Sequence, residues 1–350
     1  MQPLSEASLP ELIETEDALD GLLTRPRAEL VEFIRTVSSP LVVLGAGGKM
    51  GPTLAVLARR AADAAGKKLE VIAVSRFSDV RARQWLETRG VRTISCDLLE
   101  RDALSQLPDA ESVVYLVGFK FGTAANPSMT WAINTLVPAH VCARYPQARI
   151  VALSTGNVYP LVPVQSGGAV ESDALTPLGE YANAAVARER LFEFHSRQSG
   201  LRVALLRLNY AVELRYGVLV DIAQKVFARQ AVDVTMGFLN CIWQGDANEF
   251  ILRALAHVDS PPTVLNLTGS RALAVRELAR EFGRLLGRQV EITGAEAETA
   301  LLSNVARALS LFGEPPTPLE AVLRWTAQWV TRGGRTLNRP THFEVRTGKY

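Results

Sequence analysis

The run Leu41-Val42-Val43-Leu44-Gly45-Ala46-Gly47-Gly48-Lys49-Met50-Gly51 constrains the fold of this chain more than any other stretch. Four apolar residues read as a buried strand. The glycines then require a tight turn, and the segment that follows, TLAVLARRAADAA, is helical in pattern. Gly45, Gly48 and Gly51 make a G-x-x-G-x-x-G. In a strand–turn–helix, the first glycine permits the sharp turn and the middle one lets backbone approach a pyrophosphate. The third lets helix and strand pack closely. The helix start then turns free N–H groups and the positive end of its dipole toward phosphate. A glycine string alone is weak evidence; the strand before it and the helix after it are the context the motif requires. Gly45, Gly47, Gly48, Lys49, Met50 and Gly51 are therefore the expected cofactor-binding loop.

The pattern repeats. Strands are expected at LEVIAVSR (69–76), VRTISCDL (91–98), SVVYLVG (112–118), RIVALST (149–155) and LRVALLRL (201–208), with helical stretches between them. Strands alternating with helices imply a parallel sheet covered on both faces. The expected fold is α/β, a Rossmann-type doubly wound sheet with a smaller C-terminal substrate-binding α/β region. The expected boundaries are a helical extension at 1–38, a dinucleotide-binding domain at 39–210, a mainly substrate-binding region at 211–335 that returns partly to the sheet, and a tail at 336–350. In the extension, Leu30, Val31, Phe33, Ile34 and Val37 fall at helical spacing,. With 48% hydrophobic and 21% charged residues, a packed core is easily supplied,. A net charge of +2 is too weak for a nucleic-acid partner,. The 3 cysteines and 4 histidines lack metal-ligand spacing, so no metal is expected,. The first residues lack the pattern of a signal peptide, and no apolar run reaches membrane-spanning length, so a cytoplasmic setting with no membrane partner is expected.

The second strand of such a fold ends near the adenosine ribose, where an acid suits NAD and an arginine suits the 2′-phosphate of NADP. Here Ser75-Arg76 stands there, with no acid until Asp79 and with Lys49 nearby. This favours NADP over NAD.

On these residues the chain resembles the extended short-chain dehydrogenase/reductase family, of the epimerase/dehydratase type. The resemblance spans roughly residues 40–300. Asp97-Leu98 resembles the family's adenine-contacting pair, and Gly118-Phe119-Lys120 follows the fourth strand where the family lines the cofactor. Asn134 sits like its helix asparagine. Ser154-Thr155-Gly156-Asn157-Val158-Tyr159 resembles the segment that carries the catalytic Ser/Thr, here Thr155. Leu206-Arg207-Leu208-Asn209 resembles its R-x-x-N stretch, with Asn209 at the cofactor. The resemblance implies hydride transfer between nicotinamide and a carbinol or carbonyl carbon, with a tyrosine as acid/base beside a hydroxyl. Tyr181 fits the tyrosine, and a homodimer is implied.

The chain departs from the family at Tyr181-Ala182-Asn183-Ala184-Ala185, where Y-x-x-x-K would place a lysine at Ala185. A positive charge near the phenol favours phenolate. Lys120 from the fourth-strand loop, or Arg188 on the same helical face as Tyr181, are two conceivable substitutes; a third possibility is that Tyr181 no longer catalyses. Gly156-Asn157 replaces the Asp-Glu pair of 4,6-dehydratases. No arginine lies in Gly237–Asp246, where nucleotide-sugar epimerases bind diphosphate. The expected substrate is thus a carbohydrate-like molecule such as a free sugar, sugar acid or polyol, with Asn157, Trp243 and Gln244 at its pocket. Two functions are expected to compete: an NAD(P)-dependent epimerase or oxidoreductase, and a dinucleotide-binding sensor or scaffold that has lost catalysis.

Overall fold

The computed structural model describes residues 9–119 and 125–348. Its centre is a seven-stranded parallel sheet. The strands are β1 (Leu41–Leu44), β2 (Val71–Ser75), β3 (Arg92–Ser95), β4 (Ser112–Tyr115), β5 (Arg149–Thr155), β6 (Arg202–Leu208) and β7 (Thr263–Leu267). Their spatial order is β7-β6-β5-β4-β1-β2-β3. The order reverses between β1 and β4, the switch point at which doubly wound sheets open a crevice outside the carboxyl ends of their strands.

The alternation of strand side chains divides the core in two. Leu41, Val43, Val71 and Ala73 face one cluster, shared with α2 (Ala28–Ile34), α3 (Gly51–Ala64) and α9 (Gln244–Arg253). Val42, Leu44, Ile72 and Val74 face the other, closed by α6 (Pro127–Arg144) and α7 (Gly179–Ser199). Both faces are covered, which is why the strands read as continuous apolar runs. Helix α7 stops at Gly200, whose φ of 73° suits the left-handed cap,.

A third cluster joins α8 (Val218–Phe227), α10 (Val275–Leu286) and α12 (Leu319–Thr331) around Trp325 and Phe282. The N-terminal extension belongs to both bodies. Leu30 and Ile34 of α2 enter the sheet core, whereas Leu19 and Leu23 of α1 (Glu16–Leu23) enter the third cluster. Trp325 Nε1 donates to Pro10 O at 2.8 Å, tying the extension to α12. The tail packs into the fold. Phe343 is fully buried, and Thr341 N donates to Asp221 Oδ2 at 2.7 Å. Gly348 and Gly179, both at positive φ, interlock so tightly that a Cβ on either would lie 2.2 Å from the other's backbone neighbourhood. The tail therefore ends against the first turn of α7.

Candidate active site

The glycine turn is built as its spacing requires. Gly45 has φ +80°, and a Cβ there would lie 2.9 Å from Val117 N, so the turn presses against the end of β4. Gly45 N and Ala46 N both donate to Val74 O, at 2.9 and 3.1 Å. At Gly51 a Cβ would fall 2.5 Å from Ala46 Cα, so only hydrogen lets α3 sit this close to β1. At Gly47 it would fall 2.5 Å from Ser75 Oγ, whereas at Gly48 it would meet only Gly45 O at 3.4 Å. The exposed backbone at Gly47 and Gly48 lies before the Met50 cap of α3, a fit for a pyrophosphate,.

Beside it, Arg76 extends into solvent, with Nη1 3.9 Å from Asp97 Oδ2. Asp97 Oδ1 accepts from Leu99 N at 3.1 Å, and Leu98 is buried. Lys49 does not lie with Arg76. Its Nζ donates to Ala211 O at 2.6 Å and stands 4.5 Å from the ring centroid of Tyr216. Burial pushes the Tyr216 phenol above its ordinary value, with the Asp221 and Tyr181 charges adding to the shift. The glycine turn and the segment after β6 thus meet at Tyr216.

Thr155 ends β5, buried, and its Oγ1 accepts from Asn157 N at 3.2 Å, capping the short turn Gly156–Val158. Helix α7 packs on that turn, and Tyr181 lies in its first turn, 9% exposed. Ala185 is fully buried with Val158, Tyr159 and Ala169, an apolar cluster in which a lysine ammonium would be desolvated,. Behind Thr155 lies a polar network that the sequence did not announce. Arg207 and Glu189, both buried, pair at 2.8 Å, and Ser154 Oγ donates to Glu189. Arg207 Nη1 donates to Tyr159 OH at 2.6 Å, and Tyr159 OH donates to Asn266 Oδ1 at 2.9 Å. These bonds fix β5, β6, β7 and α7 at the edge where Thr155 and Tyr181 emerge.

Other expected site residues have different surroundings. Asn209 is buried, and its Nδ2 donates to Asn240 Oδ1 at 3.1 Å and Leu301 O at 3.2 Å, bracing the C-terminal region. Gly118 carries Arg188 Nη1 3.0 Å from where its Cβ would stand. Trp243 and Gln244, expected at the substrate, are both buried. Trp243 is 4% exposed, tilts against Trp325 at 5.6 Å between centroids, and lines a cavity of about 220 Å³ with Cys241, Arg271 and Thr317. Gln244 turns toward α3 and donates to Thr53 Oγ1 at 3.0 Å. Lys120 lies outside the described residues. Among the described residues no cluster of three or more His, Cys, Asp or Glu side chains could hold a metal, and no helix is long and apolar enough to cross a membrane.

Comparison with known proteins agrees with this architecture. Solved structures share the fold at low identity. The UDP-glucose 4-epimerase of Thermotoga maritima, solved with UDP-glucose, is 16% identical at a TM-score of 0.68, covering 84% of this chain and 99% of that one. The UDP-glucuronic acid 4-epimerase of Bacillus cereus, in complex with NAD, is 17% identical at 0.70, covering 84% and 96%. The dTDP-glucose 4,6-dehydratase of Bacillus anthracis, also with NAD, is 14% identical at 0.70, covering 84% and 97%. A search of curated protein sequences finds no match. The stretch from β1 to just past β6, residues 41–212, matches the model of the NAD dependent epimerase/dehydratase family.

Proposed function

We propose that this protein is an NAD(P)-dependent epimerase or oxidoreductase acting at a carbinol or carbonyl carbon of a carbohydrate-like small molecule. One observation carries the reading. The strand ending in Thr155 and the helix that carries Tyr181 in its first turn pack together at the same sheet edge as the glycine turn. Gly45, Gly47, Gly48 and the start of α3 would hold the dinucleotide's phosphates, with Ser75, Arg76, Asp97 and Leu98 around its adenosine. When bound, the nicotinamide supplies the acceptor or donor of hydride. The Thr155 hydroxyl and the Tyr181 phenol hold the substrate oxygen and move its proton. Arg76, exposed at the end of β2, supports NADP over NAD,. Exposed Trp131 and Leu136 on α6 and Phe194 on α7 support a homodimer through these helices. A reduced cytoplasmic setting suits three free cysteines,.

The second reading, a nucleotide-binding sensor without turnover, is favoured by the apolar surroundings of Ala185. Fluorescence titration with NADPH and NADH, followed by assay on a panel of sugars and sugar acids, separates the two. The enzyme reading expects binding, turnover on one of the panel, and loss of that turnover in Tyr181→Phe. Tight binding without turnover supports the sensor. No binding of either nucleotide, with Gly48→Val indistinguishable from wild type, sinks both. Arg76→Ala is expected to weaken NADPH more than NADH; equal weakening removes the NADP assignment.

A further inference from the structure

Arg188 is 4% exposed, yet among the described residues no carboxylate pairs with it. Buried charges are normally paired, because an isolated one loses its hydration without compensation. Arg207, equally buried one strand away, obeys the rule through Glu189. Arg188 instead donates from Nη1 to Val117 O at 2.8 Å, and its Nε has no partner. Two further buried polar atoms around it are unpartnered, Asn134 Oδ1 and Tyr115 OH. Asn134 Oδ1 and Arg188 Nη1 both point at Gly118, 4.0 and 3.0 Å from where a Cβ would stand.

The place matters. Val117 and Gly118 continue β4 at the carboxyl edge of the sheet, and Val117 N touches the glycine turn at Gly45. Helix side chains lean toward the N-terminus, so Arg188 reaches back along the face it shares with Tyr181. An uncompensated positive charge is thus held directly beneath the ridge that forms one wall of the nucleotide cleft. A cleft with low-dielectric walls focuses such a field onto an anionic ligand.

We propose that Arg188 is the positioning cation of the nucleotide site. From inside the fold it anchors the Val117–Gly118 backbone and sets the positive potential that an anionic dinucleotide meets there, a charge that Ala185 cannot supply. The inference rests on the nucleotide-binding reading above. The test is fluorescence titration with NADH and NADPH of wild type, Arg188→Met, Arg188→Lys and Asn134→Asp, each checked by thermal melting. Arg188→Met keeps length and removes charge. It is expected to weaken both nucleotides about tenfold, while Arg188→Lys stays within about threefold of wild type. Asn134→Asp keeps shape and sets a carboxylate against the guanidinium, so it is expected to weaken binding as Arg188→Met does. Packing alone predicts the reverse order, with buried Met tolerated better than Lys, and has Asn134→Asp lower the melting temperature through its lost bond to Thr130 O without lowering the affinity of the folded protein,. If Arg188→Met does not fold, Asn134→Asp decides by itself. Wild-type affinity in Arg188→Met, or in Asn134→Asp, overturns the inference while leaving nucleotide binding intact. Absence of binding by wild type overturns the nucleotide reading, and this inference with it.

Discussion

Buried charge in this molecule is handled residue by residue, and Asp246 shows the cost of it. Its carboxylate accepts from Thr317 N at 3.1 Å and from Thr317 Oγ1 at 3.0 Å, near the positive charge of Arg27. Burial outweighs these and pushes it up to about 6, from an ordinary value of 3.8. The folded state therefore holds a proton that the unfolded chain has already released between those two values. Stability from this group is full below the lower value and declines as pH rises through the upper one. Asp246→Asn removes the dependence and keeps an acceptor for Thr317. Relative to Asp246→Asn, wild type is expected to lose about 3 kcal/mol of unfolding free energy between roughly pH 4 and pH 7. Parallel urea unfolding curves at each pH check this; a constant difference between the two proteins refutes the assignment. No feature of the sequence around Asp246 exposed this state, because the burial depends on Thr317 and Arg27, both remote in the chain.

Among the elements, legibility followed the locality of the signal. The strands Arg149–Thr155 and Arg202–Leu208 fall where their apolar runs place them, since strands buried on both faces carry their pattern in themselves,. The expected strand at Ser112–Gly118 ends at Tyr115: Leu116 N makes a last ladder bond to Leu44 O, and beyond it the chain runs against Gly45 instead of a neighbouring strand. The pairing of Glu189 with Arg207, and the core place of Trp243, depend on which elements meet. No spacing within one element encodes that. The glycines of the turn also separate by role. Gly51→Ala drives a methyl into Ala46 at 2.5 Å and should destabilise the fold by about 1–3 kcal/mol as α3 shifts from β1,. Gly48→Ala meets nothing closer than 3.4 Å and should melt near wild type. A pair of thermal melts suffices, and equal melting points would show that helix and turn do not pack as described.

At the scale of the whole molecule, the tail and the extension bind the two bodies together. Thr341 holds the tail through two bonds to Asp221, whose carboxyl burial pushes up. A hydrogen bond to a charged acceptor contributes about 1.5–3 kcal/mol. Thr341→Val is expected to loosen the tail without touching the glycine turn. Hydrogen exchange should then quicken across residues 337–348 and in the first turn of α7, with nucleotide affinity unchanged. Exchange confined to the substitution site would mean the tail is not fastened by this contact. The sheet order has a consequence for synthesis. Strand β1 lies between β2 and β4, so on the ribosome it can pair at once on one side only. Its other edge, a row of open amides and carbonyls, has to wait until Ser112–Tyr115 has emerged, and during that interval a nascent chain of this design is exposed to strand exchange with its neighbours,.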